Sequence, residues 1–213
     1  MASLIEQLIK ENYLKTPEII EAFRKIKRRD FVLPEFQEEA EANYPLPIGY
    51  GQTISQPLTV ALMLELLQPK EGDKVLDIGS GSGWTSALLA YIVSAGGLKN
   101  NGKVFAIDII PELVEFGKKN VSKYNFVERG IVEFICGDGS KGLSQEAPFD
   151  KIQVAAAAAK IPQPLLDQLK IGGRLVIPVG VESQEMVLVE KISEKKYKEK
   201  RIPGFVFVPL ITK

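Results

Sequence analysis

Histidine is absent from this chain, and cysteine occurs once, at Cys136. Without histidine there is no Ser-His-Asp or Cys-His hydrolase centre, no imidazole general base and no histidine-ligated metal. A lone cysteine has no partner for an internal disulfide and cannot build a structural zinc site. No metal is therefore expected, and a reducing, cytoplasmic setting is. An excess of one charge is missing too, because Lys plus Arg and Asp plus Glu are each 27. Nothing in that balance draws the chain to nucleic acid or to a membrane, and neither is expected as a partner. No apolar run reaches the length of a membrane span, Glu65 interrupting the best candidate. Glu6, Lys10 and Glu11 break up the first apolar residues, unlike a secretory signal.

What is present is ordinary globular material, 45% hydrophobic and 25% charged over 213 residues. That length suits one domain with a sizeable core, expected to act as a monomer. The chain is organised around Lys74 to Trp84. Val75, Leu76 and Ile78 read as a strand buried on both faces. Gly79, Gly81 and Gly83 follow at every second position, and a helix begins at Trp84. Such a turn lets backbone approach a ligand closely, with the helix N-terminus behind it. The spacing is not the dinucleotide fingerprint, whose third glycine would stand at Trp84. Asp77 would repel a pyrophosphate but suits a cationic ligand, such as a sulfonium. The plain alternative is a tight strand-to-helix connection.

Before this centre, Leu4, Ile5, Leu8 and Ile9 mark a short amphipathic helix over 2–12. Thr16 and Pro17 read as the cap and first turn of a second helix, faced by Ile19, Ile20, Phe23 and Ile26. Lys25, Lys27, Arg28 and Arg29 form its solvated, dipole-complementing end. Prolines keep 30–57 irregular. Yet Tyr44 to Pro57 is too apolar and aromatic for an exposed linker, so it either covers the core or forms a lid over the glycine turn. A helix is expected over 58–67.

Beyond the centre, helix 84–94 leads to a strand at 104–107 closed by Asp108. A helix starts at Pro111, a third strand spans 131–136 before Gly137-Asp138-Gly139, and a fourth spans 152–155. A helix over 164–169 is broken by Gly172-Gly173, and a fifth strand spans 175–179. Residues 185–191 and 205–208 read as an antiparallel edge pair around a lysine-rich tip at 195–201. Ala155 to Ala159 reads as a strand end and loop, or equally as a first helical turn. This cadence predicts an α/β, doubly wound, mostly parallel seven-stranded Rossmann-like sheet with an N-terminal helical extension.

In such sheets ligands sit beyond the carboxyl ends of the strands. Asp77 to Gly83, Asp108 and Asp138-Gly139 fall at three successive strand ends. Asp108 could accept both hydroxyls of a ribose, and Asp138 an adenine amino group, which together favour an adenosyl cofactor.

The chain resembles the protein-L-isoaspartate O-methyltransferases. The resemblance is carried by Pro45 to Gly49, Gly51-Gln52-Thr53-Ile54-Ser55-Gln56-Pro57, Val75 to Gly83, Gly137-Asp138-Gly139, Ala147 to Asp150, Gln168 to Gly180 and Phe207 to Leu210. It spans nearly the whole chain, and the Gly-Gln-Thr-Ile-Ser element is its most discriminating part. It implies one methyltransferase domain, with N-terminal helices and lid over 1–57, a cofactor-binding core over 58–180 and edge strands over 181–213. It implies S-adenosyl-L-methionine as cofactor, leaving S-adenosyl-L-homocysteine, and isoaspartyl peptides and proteins as substrate.

The resemblance also implies the site residues. Gln52, Thr53, Ile54, Asp77, Gly79, Ser80, Gly81, Ser82, Gly83, Asp108, Ile109, Asp138 and Gly139 would hold the cofactor. Ser55 would be catalytic, with Ile54, Ser55, Gln56, Val60 and Ala155 touching substrate. The chain departs from the family pattern at Glu41 and Asn43, where Tyr-x-Asp is common. It also departs at Val60, where some members have histidine, and at Ala155, where many have threonine. An isoaspartyl α-carboxyl titrates at about 3.3–3.7, so the nucleophile is ionised at neutral pH and needs no base. That fits the missing histidine. Rival methyltransferase chemistries lack their motifs: no Asn/Asp-Pro-Pro-aromatic run occurs, and Ile135 rather than proline precedes Cys136.

Overall fold

The computed structural model describes residues 3–212. Helices α1 (Leu4–Lys10) and α2 (Pro17–Lys25) open the chain. Thr16 occupies the cap position of α2 without capping it; its hydroxyl donates instead to the Glu65 carboxylate at 2.8 Å. Two 3-10 turns, Arg28–Phe31 and Pro34–Glu39, follow. The segment expected to be irregular then forms a small antiparallel hairpin, β1 (Leu46–Gly49) and β2 (Gln52–Ile54). Tyr50 and Gly51, both at positive φ, make its two-residue turn.

Next come α3 (Pro57–Leu67), β3 (Lys74–Ile78), α4 (Trp84–Val93), β4 (Lys103–Asp108), α5 (Pro111–Ser122) and β5 (Val132–Cys136). They are followed by β6 (Phe149–Val154), α6 (Gln163–Asp167), β7 (Leu169–Val179), β8 (Gln184–Ser193) and β9 (Lys196–Phe205). The large sheet has the order β5-β4-β3-β6-β7-β8-β9, parallel from β5 to β7 and antiparallel at β8 and β9. Strand order reverses between β3 and β6, so the crevice of a doubly wound sheet opens above β3.

The apolar strands serve two cores because successive side chains point to opposite faces. Val75, Val104, Ala106 and Val176 pack under α1 to α5, while Leu76, Ile78, Phe105, Ile107 and Ile177 face α6 and its loops. Two expectations fail here. The lysine-rich 195–201 stretch is not a hairpin tip but most of β9, and the turn lies at 193–196. Gly172-Gly173 breaks no helix, because α6 ends at Asp167 and both glycines lie inside β7, Gly172 at φ +82°. The register shift between β6 and β7 beside them is the bulge that such a glycine permits. Ala155 to Ala159 is a loop, as the first reading had it, bridging Pro209 through Ala157 and Val179 through Ala158.

Candidate functional site

The glycine turn owes its shape to close packing as much as to conformation. Gly83 caps α4 at φ +83°, and a Cβ there would lie 2.8 Å from the Gly117 carbonyl of α5. Helix α5 therefore presses directly on the turn, which fixes the backbone from Gly79 to Ser82. Asp108 completes it: one carboxylate oxygen accepts from the Gly81 N–H at 2.9 Å and the other from the Ile110 N–H at 3.1 Å. A carboxylate has about four acceptor positions, so capacity remains on the side that faces open space.

That space is a cavity of about 760 Å³, its open mouth included. Gln52, Thr53, Ile54 and Ser55 of the hairpin wall it on one side. Gly79, Ser80, Gly81 and Ser82 form its floor, and Asp108, Ile109, Gly139 and Ala155 close the rest. The Ser80 hydroxyl is buried on this wall without a hydrogen-bond partner among the described residues. A buried donor left unpaired is costly, so its place on a cavity wall marks a position for a polar ligand atom.

A second, larger groove, lined by Thr53, Ser55, Gln56, Leu58, Thr59, Leu62, Ala155 and the strand end 204–208, adjoins the first. Thr53, Ser55 and Ala155 belong to both walls.

Four expected site residues line neither space. Asp77 is fully buried behind the turn, accepting from the Ser86 hydroxyl at 2.6 Å and from the Gln153 amide at 3.4 Å. Burial raises its carboxyl to about 6, against the two hydrogen bonds that lower it. Gly83 packs on α5. Asp138 turns its carboxylate to the Ser140 N–H and hydroxyl, at 3.0 and 2.6 Å. Val60 lies in the core under α3.

Other residues escaped the sequence reading. Ile48, Thr85 and Val208 to Ile211 line the first cavity. The C-terminal segment reaches it because the alanine loop pairs with Pro209, a contact between regions far apart in the chain. Arg28, read as part of a solvated helix end, is 4% exposed. Its guanidinium donates to the carbonyls of Ala40, Ala42, Tyr44 and Ser55 at 2.9–3.2 Å, and lies 5.6 Å from the Trp84 ring centre. Burial lowers its pKa to about 10, so it remains charged at neutral pH. The only sequence signal was an arginine beside the apolar Phe31-Val32-Leu33.

The model of the protein-L-isoaspartate(D-aspartate) O-methyltransferase family matches residues 1–213. The chain belongs to that family. Membership makes it an enzyme, an S-adenosylmethionine-dependent methyltransferase of the isoaspartate-repair class. Protein-L-isoaspartate O-methyltransferases of Aeropyrum pernix and Thermococcus onnurineus are each 46% identical to it over 209 residues. The alignments cover 98% of this chain and 78% of the first, and 97% and 91% for the second. The fold is shared with a Plasmodium falciparum chain described as such a methyltransferase and solved with S-adenosyl-L-homocysteine. It has a TM-score of 0.88 and 23% identity, with both chains covered fully. Another solved protein-L-isoaspartate O-methyltransferase superposes with TM-score 0.83 at 26% identity, over 97% of this chain and 64% of that one.

Proposed function

We propose that this protein transfers a methyl group from S-adenosyl-L-methionine to the free α-carboxylate of L-isoaspartyl residues in damaged peptides and proteins. The resulting ester closes to a succinimide, whose hydrolysis returns some normal aspartyl linkage. The observation that carries this reading is the position of Ser55 in the wall common to the two cavities. One cavity has the glycine turn and Asp108 for an adenosyl compound; the other opens toward solvent, where a peptide can enter.

The cofactor supplies an already activated methyl on a sulfonium. Asp108 offers its remaining lone pairs to the ribose hydroxyls, and Ser80 offers its unpaired hydroxyl. The glycines keep side chains out of the adenosyl path. Asp138 and Asp77 act behind the wall, the first shaping the turn after β5 through Ser140 and the second bracing β3 to α4 through Ser86. Gln52, Thr53 and Ile54 cover the reacting groups and exclude water. Ser55 donates one neutral hydrogen bond to the substrate carboxylate and so aims it without quenching its nucleophilicity. Positioning of this kind can supply up to roughly 7–11 kcal/mol of barrier reduction. The lone cysteine fits a cytoplasmic enzyme, and the reading needs a single copy of the chain acting as one domain.

The decisive measurement gives methyl-labelled cofactor to matched peptides that contain isoaspartate or ordinary aspartate. Base-labile label on the isoaspartyl peptide alone is expected; equal labelling of both would reject the substrate assignment. Asp108→Ala is expected to weaken S-adenosyl-L-homocysteine binding strongly in calorimetry, whereas Ser55→Ala lowers turnover and leaves that affinity nearly unchanged. The opposite pattern would reverse the two roles.

A further inference from the structure

At the opposite pole of the sheet from both cavities, β6 and β7 place two cations side by side. Lys151 and Arg174 are register partners on these parallel strands, and Val75 of β3 flanks Lys151 on its other side. Like charges paired across neighbouring strands destabilise a sheet unless something neutralises them. Arg174 is provided for: it donates to the Glu190 carboxylate at 2.6 Å and to the Leu66 carbonyl at 3.1 Å. Lys151 is not. It is 5% exposed, and no hydrogen bond or ion pair reaches its ammonium among the described residues. The comparably buried Lys191 shows the contrast, since it faces the Leu166 and Asp167 carbonyls and the Glu194 carboxylate.

Lys151 lines a cavity of about 1520 Å³, its open mouth included, together with Arg174 and Lys70. The side chain of Lys70 also lacks a partner among the described residues. The acids on the same wall are largely engaged. Glu65 accepts from the Lys15 and Thr16 N–H groups, the Thr16 hydroxyl and the Gln68 amide. Glu71 is held by Lys99 and Asn101, and only Glu18 stands unengaged, in the exposed first turn of α2. Asp73 and Asp150 act on Lys151 through space without reaching ion-pair distance, while burial, Arg174 and Lys70 all disfavour its charge. The stem of Lys151 is therefore buried while its ammonium opens on the cavity, where the lysine has no ion pair among the described residues.

We propose that this cavity binds a multivalent oxyanion of the phosphate class, held by Lys151, Arg174 and Lys70. Charge-assisted bonds from three cations suit such a ligand better than a chloride or a single carboxylate. The site shares no residue with the two cavities that meet at Ser55.

The test is calorimetric titration of inorganic phosphate into the full chain, already saturated with S-adenosyl-L-homocysteine, against chloride at equal ionic strength. Saturable binding at one site is expected. Loss of one charge-assisted contact should weaken it at least roughly tenfold in Lys151→Met, and by a smaller factor in the exposed Lys70→Gln variant. In phosphate-free buffer Lys151→Met should melt no lower than the parent, because it removes a charge that has no ion pair within the fold. Phosphate heats no larger than those of chloride, or equal affinity in parent and both variants, would overturn the proposal. So would a lowered melting temperature of Lys151→Met without phosphate, since the lysine would then be paired within the fold. Should Lys151→Met fail to fold, unchanged affinity in Lys70→Gln alone would be enough to reject the site.

Discussion

Asp77 carries the sharpest residue-level consequence, because its carboxyl is completely buried and its partners are two neutral groups, Ser86 and Gln153. Burial holds its folded pKa at about 6, above the usual 3.8. The protonated form is therefore the one that the fold prefers. Below about pH 4 both folded and unfolded chains are protonated there and no penalty exists. Between about 4 and 6 the unfolded chain ionises first, so stability falls as pH rises, by roughly 3 kcal/mol in all. Asp77→Asn removes that ionisation and keeps an acceptor for Ser86. If the Gln153 amide turns over, the new N–H can also meet its carbonyl oxygen, which is buried without a partner among the described residues. Urea unfolding at pH 4.5 and pH 7.5 should show the variant gaining on the parent by about 2–3 kcal/mol at the higher pH. A parent-to-variant difference independent of pH would mean that Asp77 stays ionised throughout. Asp77 reads in the sequence as an acid beside a cationic ligand, since a strand-end carboxylate next to a glycine turn has that chemistry. What the sequence could not disclose is side-chain direction: burial in β3 and the Ser86 hydroxyl, in the first turn of α4, took the carboxylate away from the cavity.

Among the elements, those with strong apolar periodicity were legible and those without it were not. Strands β3 and β4 and the later halves of β6 and β7 bury both faces, and apolar runs such as Val104 to Ile107 and Leu175 to Ile177 announced them. The more polar Phe149 to Lys151 and Leu169 to Arg174 carried no such signal. Strand β9 is an edge strand, solvated on both faces, so Lys196 to Arg201 carries no alternation to read and its lysines discourage further pairing. The hairpin of β1 and β2 was hidden by its prolines, although Pro47 lies at an exposed position of a two-stranded sheet, where a missing N–H costs little. What anchors this hairpin is Arg28. Four carbonyls from residues 40, 42, 44 and 55 converge on one planar guanidinium, tying both ends of the lid to the Trp84 end of α4. A lysine has no fork to serve four acceptors spread in this way. Arg28→Lys should therefore speed amide hydrogen exchange across 40–55 while leaving β3 to β7 as slow as before. With Ser55 less firmly placed, kcat for isoaspartyl peptides should drop about tenfold or more, each lost bond to a charged group being worth roughly 1.5–3 kcal/mol. Uniform acceleration across the sheet would instead mean that Arg28 supports the whole fold rather than the lid.

For the molecule as a whole, the arrangement of two cavities that share only a thin wall decides how the enzyme can be perturbed. The first is enclosed by the glycine turn, the hairpin and the returning C-terminal segment; the second runs beside α3 and the end of β9. Overall charge gives the second groove no long-range pull on a charged protein, since the chain is neutral at pH 7. On the function proposed above, recognition of a damaged protein rests on short-range fit around Ser55, which suits an enzyme that must accept many flanking sequences. The two spaces should also respond separately. Leu62 lines the groove but not the adenosyl cavity. Leu62→Trp fills groove volume beside α3 without touching the glycine turn or Asp108. KM for an isoaspartyl peptide should rise several-fold, on the order of the 1–3 kcal/mol that a misfitting pocket group costs. Calorimetric affinity for S-adenosyl-L-homocysteine should match that of the parent. If the peptide KM stays unchanged while cofactor affinity falls, the peptide enters by another route and the wall at Ser55 does not divide donor from acceptor.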